Sequence, residues 1–302
     1  MLAPLPIRDG VAPSYLWLPP GSWPDMLGFL TEHFRHVDAA TWIDRMQRGE
    51  VRFADGSEIL PASAYRRGHC MFYYREIAHE TPIPFAASIL YQDAHVLVAD
   101  KPHFLPVTPG GRFVKETLLV RLKHSTGLSD LVPIHRLDRE TAGVVIFSHN
   151  PATRGLYQSM FQQRAMRKLY HALAPVVPSL VLPLTRHSRI EKGEPFFRMA
   201  ECAGPTNAET EIALLEQHNG LGLYALRPHT GRQHQLRVHM AALGMPILND
   251  DFYPHALPCK QDDVSRPLQL LAKQITFVDP LNGLERRFES ERNLAFPLPL
   301  SD

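Results

Sequence analysis

The sequence predicts an α+β fold: a mixed, largely antiparallel sheet with flanking helices, preceded by a small N-terminal α/β module. Short apolar runs separated by turn signals recur from residue 89 onward, which is the pattern of many strands in one sheet. Helices are few, and caps announce them at the edges of that strand-rich region. The first 80 residues read differently, as two helices and a short hairpin. These patterns divide the chain into residues 1–80 and 85–302, joined by a linker near residues 80–84.

In chain order, Pro4, Pro6, Pro13, Pro19 and Pro20 mark an irregular opening segment. Met26, Leu27, Leu30 and Phe34 follow Pro24 at helical spacing. Asp38 is placed to cap a second helix, which runs through Trp42, Ile43 and Met46 and stops at Gly49. Val51-Arg52-Phe53, an Asp55-Gly56 turn and a strand near Ile59 predict a hairpin. Residues 89–91 and Val96-Leu97-Val98 predict another across Gln92-Asp93. Residues 143–147 form a buried strand. Asn150 and Pro151 then cap a helix with Leu156, Met160 and Phe161 on its apolar face. Residues 168–173 alternate as a strand, and 209–216 pairs with 221–226 across Asn219-Gly220. Thr230 and Gln233 have the spacing of a capping box. The helix that follows would bury Leu236, Met240 and Leu243 and end at Gly244, with Arg237 at the edge of the buried stripe. Val278 and Phe288 flank a last hairpin.

Composition narrows the function classes. No apolar stretch reaches the ~20 residues that span a bilayer, and the first ten residues lack the basic and apolar regions of a signal peptide. Cys70, Cys202 and Cys259 form no CxxC pair, which argues against structural zinc and disulfides and suits a reducing cytoplasm. Net charge is +1, yet residues 101–175 hold 11 Lys/Arg against four acids, the asymmetry of a phosphate-tracking face. His229, His234 and His239 are spaced five and five, unlike the i, i+4 pair of HExxH, so no metal is expected. No GxSxG elbow, P-loop or GxGxxG is present, which leaves hydrolase, NTPase and dinucleotide readings without an anchor.

The most informative string is His135-Arg136-Leu137-Asp138-Arg139-Glu140-Thr141-Ala142-Gly143. Asp138 lies between Arg136 and Arg139, whose charges are expected to depress its pKa and keep it ionised. An ionised carboxylate held by a fixed cation can act as nucleophile, base or hydroxyl clamp. As a surface ion pair the same cluster would contribute only about 0–1 kcal/mol. The string resembles the HRLDxxTSG motif of the RluA family of RNA pseudouridine synthases, with Ala142 in place of Ser. Residues 230–239 (TGRQHQLRVH) are similar to that family's TGRxHQLRVH, and Lys168-Leu169-Tyr170-His171-Ala172-Leu173 to its KxYxAL. GMPILNDDFYP resembles GhPIxGDxxYG, with Asn249 and Pro254 where glycines are usual. The opening residues 96–111 also resemble the family's first strand and loop. The four motifs stand in family order across about residues 85–295.

The resemblance implies a pseudouridine synthase-like fold and isomerisation of uridine in ribosomal or transfer RNA, with no cofactor. It implies Asp138 as catalyst, attacking C1′ or assisting deprotonation at C2′. Tyr170 would lie under the uracil or serve as the base. Arg237 would partner Asp138, with Arg232 as the fallback. Arg136 corresponds to the residue that inserts where the flipped nucleotide stood, and His135, Lys168, Arg232 and Leu236 are expected to bind substrate. Two helices followed by a hairpin, with Arg45 and Arg48 on the second helix, also resemble an S4-type RNA-binding module. Two rivals remain: a non-catalytic RNA-binding protein on the same fold, and a nucleoside hydrolase. The hydrolase would need a second carboxylate, for which only Glu140 is near in sequence.

Overall fold

The computed structural model describes residues 3–75, 80–257 and 263–296, so Cys259 lies outside the described residues. It divides into two compact units, residues 1–80 with 109–115, and residues 81–108 with 116–302.

In the first unit, β1 (Ser14–Trp17), α1 (Met26–His33), α2 (Ala39–Gln47), β2 (Val51–Phe53) and β3 (Cys70–Tyr73) follow in sequence. The strands form an antiparallel sheet in the order β1-β3-β2. Asp25 caps α1 by accepting from the Gly28 amide (2.7 Å), and Asp38 caps α2 through the Thr41 amide (2.6 Å). Phe29, Leu30, Trp42, Met46 and Ile59 bury the helical stripes against the sheet. The proline-rich opening thus contains a strand, not only irregular chain. Its partner β3 lies more than 50 residues away, and no local pattern carries so long-range a pairing. The expected strand near Ile59 is reduced to an isolated bridge between Arg52 and Glu58 and the Ile59 amide bond to Val51 (3.1 Å). Arg45 is buried with its guanidinium 5.2 Å from the Trp42 ring, and Arg48 pairs with Asp44 and Glu50.

The second unit contains β4 (Ser88–Gln92), β5 (Val96–Lys101), α3 (Leu118–Thr126), β6 (Val132–Pro133), β7 (Ala142–Ser148), α4 (Pro151–Gln162) and β8 (Arg167–Pro175). It continues with β9 (Leu184–Lys192), β10 (Met199–Cys202), β11 (Ala208–His218), β12 (Leu221–Pro228), α5 (Gln235–Ala242), β13 (Leu270–Val278) and β14 (Glu285–Glu289). The sheet runs β10-β9-β11-β12-β8-β13-β7-β5-β4, with β14 on β13 and β6 on β7. Among the described residues β13 and β7 form the one parallel pair, so the expected mixed, largely antiparallel α+β sheet is what is found.

Local chemistry explains the elements. Asn219 and Gly220 both have positive φ (48° and 77°), which suits the tight turn between β11 and β12. Asn150 caps α4 through the Ala152 amide (3.0 Å), with Pro151 at its first turn. The buried face of α4 is Tyr157 and Met160, while Leu156 is exposed. Adjacent helical positions lie about 100° apart, and the larger Tyr157 takes the inward one, with its hydroxyl on the Asp279 carboxylate (3.2 and 3.3 Å). Leu236 and Met240 of α5 pack on Ala172, Tyr224, Leu226 and Leu270. The strands β8, β13 and β7 meet at the middle of this unit.

Gly143 makes that meeting possible. Its φ is 113°, and a Cβ there would stand 2.2 Å from the Ala272 carbonyl oxygen of β13. Only glycine lets β7 and β13 pair in parallel at this register. Gly143→Ala is expected to lower unfolding stability by more than about 1 kcal/mol, measured by urea denaturation. An unchanged midpoint would show that β13 can shift at little cost.

Candidate active site

Three segments converge on a cavity of about 390 Å³. The loop between β6 and β7 brings His135, Arg136 and Asp138. Strand β8 brings Lys168 and Tyr170, which share a face at i, i+2. The loop before α5 and the helix itself bring Arg232, Leu236 and Arg237. All eight residues singled out in the sequence line this one cavity.

Asp138 meets its cation from across the fold. Arg237 Nη1 stands 3.3 Å from Asp138 Oδ2, with Arg237 buried and the Asp138 side chain one-third exposed. The flanking arginines do not hold it. Arg139 turns onto Glu140 (Nε–Oε1 3.0 Å), and Arg136 points outward as an exposed residue. Adjacent residues on a loop diverge in direction, so nearness in sequence did not give contact. Arg232, the fallback partner, bonds the Asn207 carbonyl instead (3.2 Å).

Arg237 has a second and tighter partner that the sequence reading passed over. Its Nε and Nη2 both donate to the Asp250 carboxylate at 2.7 Å, a bidentate pair with Asp250 fully buried. Asp250 Oδ1 also accepts from the Phe252 and Tyr253 amides (2.8 and 3.2 Å). The Phe252 and Tyr253 rings in turn lie 4.8 and 5.3 Å from the guanidinium. Burial alone would lower the Arg237 pKa, but the Asp250 bond and charge, then Asp138, raise it above its ordinary value. The arginine is a fixed cation whose Nη1 faces Asp138.

The loops are held from behind. Lys101, at the end of β5, is fully buried and donates to the carbonyls of Pro102 (3.0 Å), Leu105 (2.7 Å) and Arg139 (3.0 Å), the last within the Asp138 loop. Burial pushes its pKa down to about 7 against the opposing pull of Glu140 and Asp138. His135 Nε2 accepts the Ile146 amide (3.2 Å), and its ring stacks on Phe161 at 4.6 Å. Burial and then Lys168 lower the His135 pKa to about 3, so it stays a neutral acceptor. His135 therefore builds the cavity wall by fixing the loop to β7.

The expected capping box is absent. His234, not Thr230, is the N-cap of α5, with φ 54° and no side-chain cap bond. Gln235 organises the turn in its place: Oε1 accepts from Thr230 Oγ1 (2.7 Å) and the Arg232 amide (3.0 Å), and Nε2 reaches the Glu209 carbonyl (2.9 Å). A side chain in the first helical turn thus satisfies the loop, which a rule based on residues 230 and 233 does not capture. The turn puts His234 Nε2 3.8 Å from Asp138 Oδ2, with Nδ1 hydrogen-bonded to the Tyr253 hydroxyl (2.9 Å). Burial lowers the His234 pKa more than Asp138 raises it. Asn249, in the fourth motif, adopts φ 64°, the conformation expected where glycine is usual.

Tyr170 is held in its phenol form, its pKa raised by burial and then by the Asp138 carboxylate. Lys168 Nζ donates to the Thr230 carbonyl (3.2 Å), and burial with the Arg164 charge lowers its pKa to about 8. Among the described residues, Asp138 is the sole carboxylate that lines the cavity.

The two acids on Arg237 should differ sharply when neutralised. Asp250→Asn leaves a buried guanidinium without its bidentate anion and is expected to cost about 3–5 kcal/mol of stability. Asp138→Asn, at a partly exposed position with one long contact, is expected to stay within about 1 kcal/mol of wild type. Thermal unfolding of both variants checks the contrast, and equal losses would contradict the assigned division of labour.

Comparison with known proteins agrees with the geometry. Residues 95–242 match the family described as RNA pseudouridylate synthase. The chain is 34% identical to the Dual-specificity RNA pseudouridine synthase RluA of Yersinia pestis, over 67% of this chain and 98% of that protein. It is 30% identical to the Ribosomal large subunit pseudouridine synthase D of Xanthomonas campestris pv. campestris, over 91% of this chain and 81% of that one. Among solved structures, Human RNA Pseudouridylate Synthase Domain Containing 4 superposes with a TM-score of 0.52 at 27% identity, covering 67% of this chain and 87% of the other. Asp138 and Arg237 thus both lie within the matched family region, and the chain belongs to the RluA family of RNA pseudouridine synthases, isomerases that act on RNA.

Proposed function

We propose that Asp138 carries the uridine isomerisation of this enzyme, with Arg237 as its fixed cation and Tyr170 as the platform beneath the base. The observation that carries this reading is that, among the described residues, a single carboxylate lines the cavity, one-third exposed and 3.3 Å from a buried arginine. Isomerisation requires the N-glycosidic bond to break, the uracil to turn and a bond from C5 to C1′ to form, with loss of the C5 proton. A carboxylate facing the sugar serves this by attacking C1′ or by taking a proton from C2′; both routes need the Asp138 charge oriented by Arg237. The raised pKa of Tyr170 favours a ring that stacks and excludes water over a phenolate base. Hydrolysis by the two-carboxylate route has no second acid here, since Glu140 pairs with Arg139 and does not line the cavity. The chemistry as read calls for no cofactor.

The target uridine must first leave its stack, at a cost of a few kcal/mol. Arg136, exposed two residues before Asp138, is proposed to fill the vacated space, and Lys168, Arg232, Leu236 and the His135-held wall to bind the flipped nucleotide. We take the substrate to be structured ribosomal or transfer RNA. The relative named for the large ribosomal subunit is similar over 91% of this chain, which supports the ribosomal choice. No helix among the described residues is long and apolar enough to cross a membrane, and a cytoplasmic site of action is proposed. For residues 1–80, an S4-like role is supported by two capped helices leading into β2. Arg45, being buried, is not one of its RNA contacts.

The test is tritium release from [5-³H]uridine-labelled RNA of cells lacking the protein, in ribosomal and transfer fractions. Wild type is expected to release tritium from one fraction, and Asp138→Asn to bind RNA yet fall by at least about 10³-fold in rate. Near-wild-type release by Asp138→Asn would remove Asp138 from the mechanism. RNA binding without release by wild type would favour a non-catalytic RNA-binding protein.

A further inference from the structure

Beside the main cavity lies a second one of about 290 Å³, which shares Phe161, Lys168, Thr230, Gly231 and Arg232 with it. Among the described residues its lining holds three cations, Arg164, Lys168 and Arg232, and no carboxylate. That imbalance is unusual in a chain of net charge +1, where most arginines near this face are matched: Arg167 with Glu285, Arg227 with Glu211, Arg287 with Glu289. Lys168 and Arg232 each donate to a backbone carbonyl, which leaves their charge uncancelled. Burial, and then the neighbouring Arg164 charge, lower the Lys168 pKa to about 8.

Arg164 occupies its place against local preference. The C-terminus of α4 closes in a Schellman turn, with the Arg164 amide on the Phe161 carbonyl (3.2 Å) and the Ala165 amide on Met160 (2.9 Å). Arg164 is the residue with positive φ, 57°, where glycine is favoured. A residue that breaks a local rule without a visible structural gain points to function. The turn directs an exposed arginine to the rim of this cavity.

We propose that the side cavity is a phosphodiester site: Arg164 and Arg232, with Lys168 between the two cavities, hold an RNA backbone phosphate next to the flipped uridine. This rests on the reading of the main cavity as the uridine site, because the shared wall then places the anion along the same strand. Arginines bind phosphate oxygens through paired N–H groups, and the contact is sequence-independent. The site would therefore fix the strand's position without selecting the uridine.

The test compares wild type with Arg164→Gly, Arg164→Lys and, as a control lining neither cavity, Arg189→Ala. Filter binding to the labelled RNA is measured over a salt series, with single-turnover tritium release and thermal unfolding alongside. Arg164→Gly is expected to melt at an equal or higher temperature, since the αL strain is relieved. It should bind RNA roughly three- to tenfold more weakly, with a log K against log [salt] slope shallower by roughly 0.7–0.9. Arg164→Lys should keep most of the slope, and Arg189→Ala all of it. An unchanged slope in Arg164→Gly, or an equal change in Arg189→Ala, overturns the proposal. So does a site for free anion alone, seen as inorganic phosphate raising the wild-type but not the Arg164→Gly melting temperature while the RNA slopes agree. If wild type binds RNA but releases no tritium, the isomerase reading fails while the salt slopes still decide the phosphate site.

Discussion

The arrangement of this site depends on one guanidinium shared by two carboxylates. Arg237 spends Nε and Nη2 on Asp250 and keeps Nη1 for Asp138. The bidentate bond fixes its plane, and the Phe252 and Tyr253 rings lie 4.8 and 5.3 Å from the guanidinium. The Asp250 contact is short and dry, whereas the Asp138 contact is long and reaches solvent. The asymmetry suits the proposed chemistry. A carboxylate that must change partners in a reaction cannot be locked in the tightest available pair, yet it needs a cation that does not move. Asp250 supplies the immobility and leaves Asp138 its freedom.

The loop that carries Asp138 is fixed by three unrelated means. Lys101 grips the Arg139 carbonyl from below, His135 is tied to the Ile146 amide, and Gly143 lets β7 pass against β13 without a side chain. Each acts on a different part of the segment from residue 135 to 143. Together they set where the backbone of Asp138 stands, while Arg237 sets where its carboxylate points. The same loop presents Arg136 outward, so a single stretch of chain offers both the proposed catalyst and the proposed wedge.

Much of this was legible in the sequence, and the limits have physical causes. The caps at Asp38 and Asn150, the Asn219-Gly220 turn and the buried β7 are local features, fixed by chemistry within a few residues. The HRLDRETAG and TGRQHQLRVH strings located the cavity because their resemblance to a family carries long-range information that periodicity lacks. What local reasoning missed was pairing at a distance. Arg136 and Arg139 stand beside Asp138 in sequence and turn away from it, while Arg237, 99 residues on, reaches it. Asp250 was visible only as a position in the GMPILNDDFYP string, and His234 as a fixed letter of TGRQHQLRVH and as one of three histidines whose spacing does not suit a metal. A buried arginine requires a buried anion, so a search for Arg237's own counter-charge would have found Asp250.

The claim that Arg237 acts as a held cation for Asp138 is tested most directly by exchanging the buried pair together, Arg237→Gln with Asp250→Asn. Removing both charges leaves two neutral amides and no orphaned buried ion, so the fold should survive where the single changes do not. The single-turnover rate of tritium release from [5-³H]uridine-labelled RNA is then the measurement. A folded, RNA-binding double variant slowed by about 10²-fold or more is the predicted result. A double variant that turns over at nearly the wild-type rate would contradict the account, because Asp138 would then work without the cation that the structure builds for it.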